Sequence, residues 1–547
     1  MTIQTGWKAV MCALAAVMLA VCPSPFFIAQ ASPDEGEERS GSDAHPPATE
    51  RLARSEERTL ASLVSGRDTT RTLSRTTREL RIPFRLAPGA MPEGAELVLA
   101  ARPRSRNSGG RLEAFIAGAR TIALSPRAEN FEARFALYSE SLSDGENLLV
   151  IRFDAGEADG WEIDLRASRL RITAMPGSGH DSLASLETAL AAHFAAPRRV
   201  HIDASGAGRD QLAVEALTAQ GLALRMGEAP VLVGRADAAE LVVRAGIDPL
   251  SPGASISLAD PFTLRLAGSD ATNVAAAARM FAARSLAGTE ARMTPATALS
   301  APQLVRVRDR ERPNAAGLQA LAEAGAPFSR ERGGRAAIVI AADSAEDRLG
   351  GLTLLSRAAL ASGSAWLYAW YGAELETVPA GHDLMVLGPL GQLDDRLLRS
   401  APAEVRAAAQ AASRRIPRPR RSYGSTAFAA EGTAATGAVT GIAGLYNDAD
   451  GRTVVLVTSP EGADFSRAAR RLARSDLWTG LSGQAMLWDS GTLTAFGPTA
   501  NSGLPLRERV SEIFRTHDRL LAGLAFGLAV LLLLAGSSVN RRSTARS

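Results

Sequence analysis

Three stretches of this chain have residue types that could do chemistry on a phosphate. GSGHDSL, Gly177 to Leu183, opens like a dinucleotide fingerprint, where glycines let the backbone approach a pyrophosphate at a helix start. Its third glycine position is Ser182 and no acidic residue is placed downstream for a ribose. Since it sits where the sequence pattern changes, it reads as a linker. GRTVVLVTSPEGADF, Gly451 to Phe465, reads as a strand, a small-residue loop and a helix. Its loop, Ser459 to Gly462, has neither repeated glycines nor a Lys or Arg, and Glu461 and Asp464 would repel a phosphate. Those acids suit the positive end of the helix dipole, so scaffolding is the better reading.

DASGAG, Asp203 to Gly208, matches the Asp-x-Ser-x-x-Gly half of a PilZ cyclic di-GMP site. The arginine half is not nearby: Arg102 and Arg106 have the right mutual spacing but lie far upstream. The segment reads instead as the loop after the first strand of an α/β domain. The six histidines, at 45, 180, 193, 201, 382 and 517, show no metal-like pairing. No Gly-x-Ser-x-Gly elbow or Walker loop appears. No catalytic residue, cofactor site or metal site is assigned. The one contact candidate is Trp161, at a strand start, which could stack on a sugar ring or simply pack in a core. Trp366, Trp370 and Trp478 fall inside α/β patterns and read as core.

The elements that would carry these residues follow from periodicity. Residues 79–175 alternate apolar and polar in short runs such as LRIPFRL, AELVLAA and NLLVIRF, separated by turn signals at Pro88-Gly89 and Asp144-Gly145. That spacing predicts an antiparallel β-sandwich, an architecture that is often carbohydrate-binding though fold alone does not give function. From 182 to 290 strands and helices alternate, which predicts a doubly wound parallel sheet of flavodoxin-like size, its helix RDQLAVEALTAQG stopped by Gly221. Residues 291–334 read as a connector. A second flavodoxin-like domain is predicted over 335–505, interrupted by the Pro/Arg-rich stretch RRIPRPRRS. The fold class is therefore multidomain α+β.

The two ends bound the setting. Residues 1–31 have Lys8, an apolar stretch from Ala9 to Val21 and Ala29-Gln30-Ala31, the pattern of a signal peptide. Cys12 and Cys22, the chain's 2 cysteines, lie within it, so a processed chain would hold no disulfide. Val21 before Cys22 is larger than the small residue usual at a lipidation site. Residues 32–78, rich in Ser, Glu, Arg and Pro, read as a disordered leader. Residues 519–540 contain an uncharged run, Leu520 to Val539, of the roughly 20 residues that span a bilayer. Arg541 and Arg542 follow it and favour a cytoplasmic C-terminus. The expectation is a single-pass protein with a large periplasmic or extracytoplasmic body on a C-terminal anchor. The net charge is only +3 and Lys8 is the one lysine, so no nucleic-acid partner is expected.

This order of parts resembles the BcsB family, the regulatory subunits of bacterial cellulose synthase. LSDGENLLVIRF and WEIDLRASRLRI resemble that family's sandwich, with Gly145, Asn147, Trp161 and Ser168 at the matching places. HDLMVLGPL and the stretch from Gly451 to Trp488 are similar to its second α/β domain. The family alternates two sandwiches with two α/β domains; the interval 291–334 is too short for a second sandwich, and Ala117-Gly118 stands where an Asn-Gly turn is expected. A reduced or divergent member fits best. The resemblance implies a non-enzymatic subunit in the inner membrane that supports the catalytic glycosyltransferase subunit and guides the nascent glucan. That partner makes β-1,4-glucan from UDP-glucose under cyclic di-GMP control. The alternative is an extracytoplasmic, membrane-anchored α/β enzyme or cofactor-binding protein with a sandwich appendage.

Overall fold

The computed structural model describes residues 52–497, apart from 65–68, 105–110, 117–118, 125–130, 138, 155–159, 305–316, 416–438 and 491. Every described residue belongs to one compact unit. The expected signal peptide, the Pro/Arg-rich stretch and the expected anchor at 519–540 lie outside the described residues. Among the described residues no helix is long and apolar enough to cross a membrane.

Ten strands form the sandwich: β1 (Arg54–Thr59), β2 (Thr70–Leu73), β3 (Glu79–Leu86), β4 (Met91–Pro103), β5 (Arg111–Ile116), β6 (Ala119–Leu124), β7 (Phe131–Leu137), β8 (Gly145–Asp154), β9 (Trp161–Asp164) and β10 (Arg169–Met175). One sheet has the order β1-β10-β4-β9-β2, with β7 also on β4; the facing sheet is β3-β8-β5-β6. Alternation explains the packing: Leu80, Ile82, Phe84 and Leu86 of β3 point inward while the residues between them are solvated.

The segment read as a disordered leader is a correction. From Arg54 it supplies two strands of this sheet, and Leu60, Leu63 and Leu73 enter the core. Its many charges did not forbid order because they are paired across strands: Glu57 receives both Arg169 at 3.0 Å and Arg171 at 2.7 Å.

Two further sheets follow. The first comprises β11 (Arg199–Gly206), β12 (Val231–Leu232), β13 (Leu241–Ile247), β14 (Ser255–Asp260), β15 (Thr263–Gly268) and β16 (Arg292–Met293). The second comprises β17 (Ala336–Ile340), β18 (Trp370–Gly372), β19 (Asp383–Pro389), β20 (Gly441–Asn447), β21 (Thr453–Ser459), β22 (Ala485–Trp488) and β23 (Leu493–Phe496). Their orders are β12-β11-β13-β15-β14-β16 and β18-β17-β19-β21-β20-β22-β23. Strand for strand these are the same topology, with β23 added at one edge.

Neither sheet is wholly parallel, which corrects the doubly wound expectation. In each, four strands run parallel, while β14 or β20 runs against both its neighbours. The cause is the connection. Only the tight turn at Pro261-Phe262 separates β14 from β15, and a short Asp448–Arg452 turn separates β20 from β21. A turn that short permits antiparallel pairing, whereas parallel pairing needs a crossover of about a dozen residues or more.

The helices Gln211–Met226 and Ala345–Ser362 occupy equivalent places, each after the first strand of its sheet, and they pack on one another. A single apolar core runs through both halves, from Leu217, Val243 and Phe281 to Ile340, Leu355 and Trp366. Gln220 joins them further: it donates to the Tyr371 hydroxyl at 2.9 Å and accepts the Trp366 N–H at 2.9 Å. Burial pushes the Tyr371 hydroxyl pKa well up, so it stays a neutral donor to the Trp366 carbonyl.

Gly221 does not stop its helix. The helix runs on to Met226 and ends at Gly227, which takes the left-handed conformation at φ 74°. Leu222 to Met226, which in sequence reads as a short apolar strand, LALRM, is thus part of the helix. Gly221 is there for contact: a Cβ on it would lie 2.9 Å from the Phe281 ring and 3.0 Å from the Ala282 Cα. Gly350 plays the same part in the second half, where a Cβ would lie 2.9 Å from the Ser466 Cα. Alanine usually favours a helix over glycine by about 1 kcal/mol. Gly350→Ala is nevertheless expected to destabilise by about 1–2 kcal/mol, because the neighbour is backbone and cannot rotate aside. Urea unfolding followed by circular dichroism checks the sign.

Candidate functional site

The described cavity on the sandwich is a cleft of about 490 Å³ on the outer face of the first sheet, lined by Thr70, Ala100, Arg102, Glu132, Glu162 and Asp164 among others. Its form follows from strand pairing. Ala100 faces Glu132 across β4 and β7, and Arg102 faces Glu162 across β4 and β9. The small side chain of Ala100 leaves the hollow between the flanking acids. The floor is tied from below by Ser168, whose Oγ accepts the Ala100 N–H at 3.0 Å and donates to the Ala100 carbonyl at 3.3 Å. Ser168 thereby fills the gap where β4 passes from β10 to β9.

Arg102 donates to one Glu162 oxygen through Nε at 3.0 Å and Nη2 at 2.8 Å. Asp164 spends one oxygen on the Arg166 and Ala167 N–H groups, at 2.8 and 3.0 Å. Its other oxygen, Glu132 and the Thr70 hydroxyl remain exposed at the rim. The arrangement offers several hydrogen-bond donors and acceptors on a flat, weakly apolar floor. It suits recognition of a polyhydroxylated ligand better than bond making.

The sequence candidates are placed as follows. Trp161 is 0 % exposed and belongs to the sandwich core, so its ring has no face for a sugar; that contact candidate is corrected to core packing. Asn147 is also structural. It accepts the Ser143 N–H at 3.1 Å and donates to the Ser143 and Gly145 carbonyls at 2.8 and 3.1 Å, closing a turn in which Gly145 has φ 84°. Arg102 is held by Glu162, and Arg106 lies outside the described residues.

Asp203 lies inside β11 rather than in a loop after it. Burial works to raise its pKa, but the Ser205 hydroxyl at 2.6 Å and the Ser205 N–H outweigh it and hold the carboxyl low. GSGHDSL connects the sandwich to the helix Leu183–Leu190, with Ser182 capping that helix and the His180 N–H bound to the Pro261 carbonyl. Trp366 and Trp478 are buried and Trp370 is half-buried. Among the described residues no three His, Cys, Asp or Glu side chains gather as a metal site. Glu162 and Glu132 escaped the sequence reading. Alternation along WEID and FEAR puts them on an outer face, but only strand pairing sets them beside Arg102.

The described chain is a mixed α/β protein with several β-sheets: a β-sandwich joined to a twofold-repeated α/β body. No protein-family model matches it, and no curated protein matches it. Solved structures give partial likenesses. The CBM36-1 domain of a multidomain xylanase from the hindgut metagenome of Trinervitermes trinervoides matches 23% of this chain and 100% of that one, at 12% identity and TM-score 0.15. The C-terminal CBM6 of LamC from Zobellia galactanivorans matches 22% and 99%, at 13% identity and TM-score 0.14. Dimeric latent PorU from Porphyromonas gingivalis matches 23% of this chain at 13% identity and TM-score 0.17, and this chain spans 13% of its length.

Proposed function

We propose that this chain is a non-catalytic, membrane-anchored periplasmic component of a cellulose-type polysaccharide synthase, in the manner of the BcsB family. It holds the glycosyltransferase subunit from outside the cytoplasm and guides the exported β-1,4-glucan. The observation that carries this reading is mechanical. The two α/β halves share one core, through helices buried on nearly every side, and so form one rigid block. A block without a hinge between its halves suits a platform.

Purification of the full chain from detergent-solubilised membranes tests the reading. A glycosyltransferase should accompany it in fixed proportion; recovery of the chain alone, under conditions that keep such synthases intact, would sink the proposal. Deletion of Leu520 to Ser547 should release the body and abolish polymer output. The sandwich cleft is the proposed glucan contact. Arg102→Ala removes a charged hydrogen-bond donor and should weaken cello-oligosaccharide binding by about tenfold, as one charge-assisted hydrogen bond is worth roughly 1.5–3 kcal/mol. Titration calorimetry with cellohexaose measures it, and unchanged affinity would remove the cleft from the path of the chain.

A further inference from the structure

The parallel strands of the second α/β sheet begin at one edge, set by register: Ala336 lies beside Asp383, Ala337 beside Trp370, and Leu384 beside Val454. Just before β17 the backbone is strained. Glu331 and Arg332 both take left-handed conformations, with φ 50° and 54°, which costs roughly 1–2 kcal/mol per residue outside glycine. The turn is held from both sides. The Tyr368 N–H donates to the Arg332 carbonyl at 3.1 Å. Gly333, at φ 87°, abuts Trp366, where a Cβ would lie 2.9 Å from the Trp366 Cβ.

Some arginines of this protein are matched to carboxylates, as Arg152 is to Glu79, Arg171 to Glu57 and Glu96, and Arg470 to Glu346. Others, such as Arg225 and Arg406, spend their donors on carbonyls. Arg330, Arg332 and Arg335 have no ion pair among the described residues, and Arg279 alongside them bonds only the Leu367 carbonyl. Tyr368 stands between them with 62% of its surface exposed. The one acid within the turn is Glu331. Asp383 at this edge accepts the Thr453 N–H, and Asp448 and Asp450 share Arg452. The patch therefore combines four guanidinium groups outside any ion pair with an amphipathic aromatic.

The exit of the chain bears on what covers it. β23 is antiparallel to β22 and so runs against β17, which means the chain leaves Phe496 heading toward this same edge. Beyond it comes the apolar run Leu520 to Val539. We propose that this edge rests on the anionic phospholipid headgroups of the bilayer. Arginines supply attraction to the surface charge, and Tyr368 sits at the depth where ring and hydroxyl are both accommodated. The inference depends on the anchor assigned under Proposed function but not on a synthase partner.

The test uses the full chain in nanodiscs of phosphatidylcholine alone or with phosphatidylglycerol, followed by hydrogen exchange. Amides of 329–335 and 367–370 should exchange more slowly in the anionic discs, and the difference should vanish at high salt. Each arginine replaced should lower that lipid-dependent protection about fivefold. The variants are Arg330→Gln, Arg335→Gln and Arg332→Asn, the last because asparagine tolerates the left-handed conformation. Equal exchange in both lipids by an inserted chain would overturn the headgroup contact and leave the anchor standing. Protection that the arginine variants leave unchanged would overturn it too, pointing to a protein neighbour. A chain that does not enter the discs would overturn both.

Discussion

Trp161→Ala should cost the sandwich about 3–5 kcal/mol, the range for emptying a large, fully buried aromatic site. The indole is 0 % exposed and lies in the same core as Leu73, Leu99 and Ile163. It begins β9, which pairs with both β2 and β4, so the cavity would open between three strands. Trp161→Phe keeps most of the apolar volume and should cost about 1–2 kcal/mol. Denaturant unfolding of the two variants measures the difference. Loss of glycan binding by Trp161→Ala at unchanged stability would mean that the ring is a contact surface after all.

Arg58→Ala should cost about 2–3 kcal/mol, somewhat less than the 3–5 expected of a fully buried pair, because both partners keep some solvent. Arg58 joins the sandwich to the α/β body. It donates to both oxygens of Glu228, at 2.5 and 2.8 Å, and to the His193 carbonyl at 3.1 Å. Arg198 reaches the same carboxylate at 2.7 Å. Loss of Arg58 leaves Glu228 with one cation. The Glu228→Ala and double variants complete a cycle, and a coupling below about 0.5 kcal/mol would show the joint to be ornamental.

The same joint fixes a pH dependence. Burial works to raise the Glu228 pKa, but the Arg58 hydrogen bond and the Arg198 and Arg58 charges outweigh it and lower the pKa overall. Its contribution to stability is therefore complete above the ordinary glutamate range and is lost as pH falls through the lowered value. Glu56 has the opposite sign: burial raises its pKa despite Arg198 and Arg58, so its ionisation subtracts stability as pH rises. Glu56→Gln should make acid unfolding steeper, since the Glu228 contribution at this joint is then no longer opposed. Urea midpoints between about pH 3 and 6 report it.

The sandwich was legible because apolar residues recur at every second position in strands such as β3, β5 and β10. Helix starts carry a local signal where a polar residue caps them, as Asp270 does for the Asn273 N–H and Asp464 for the Arg467 N–H. Both signals are local and need only neighbours in the chain. The stretch Ser459–Gly462 belongs to this class as well: Ser459 is buried at the end of β21 and Gly462 turns at φ 82°, ahead of the capped helix.

What escaped is long-range. β1 is too charged and β2 too short to announce themselves, and their partners lie about a hundred residues away at Arg169, Arg171 and Asp164. Gly221 carries a helix-breaking signal that the facing Phe281 and Ala282 override, since only glycine lets those backbones meet. Trp161 presents one residue type whether it is core or contact, and only its burial separates the two. Periodicity and capping are properties of one segment and can be read from its residues. Strand pairing, shared cores and unmatched charges are relations between distant segments, and they exist only once the chain has brought those segments together.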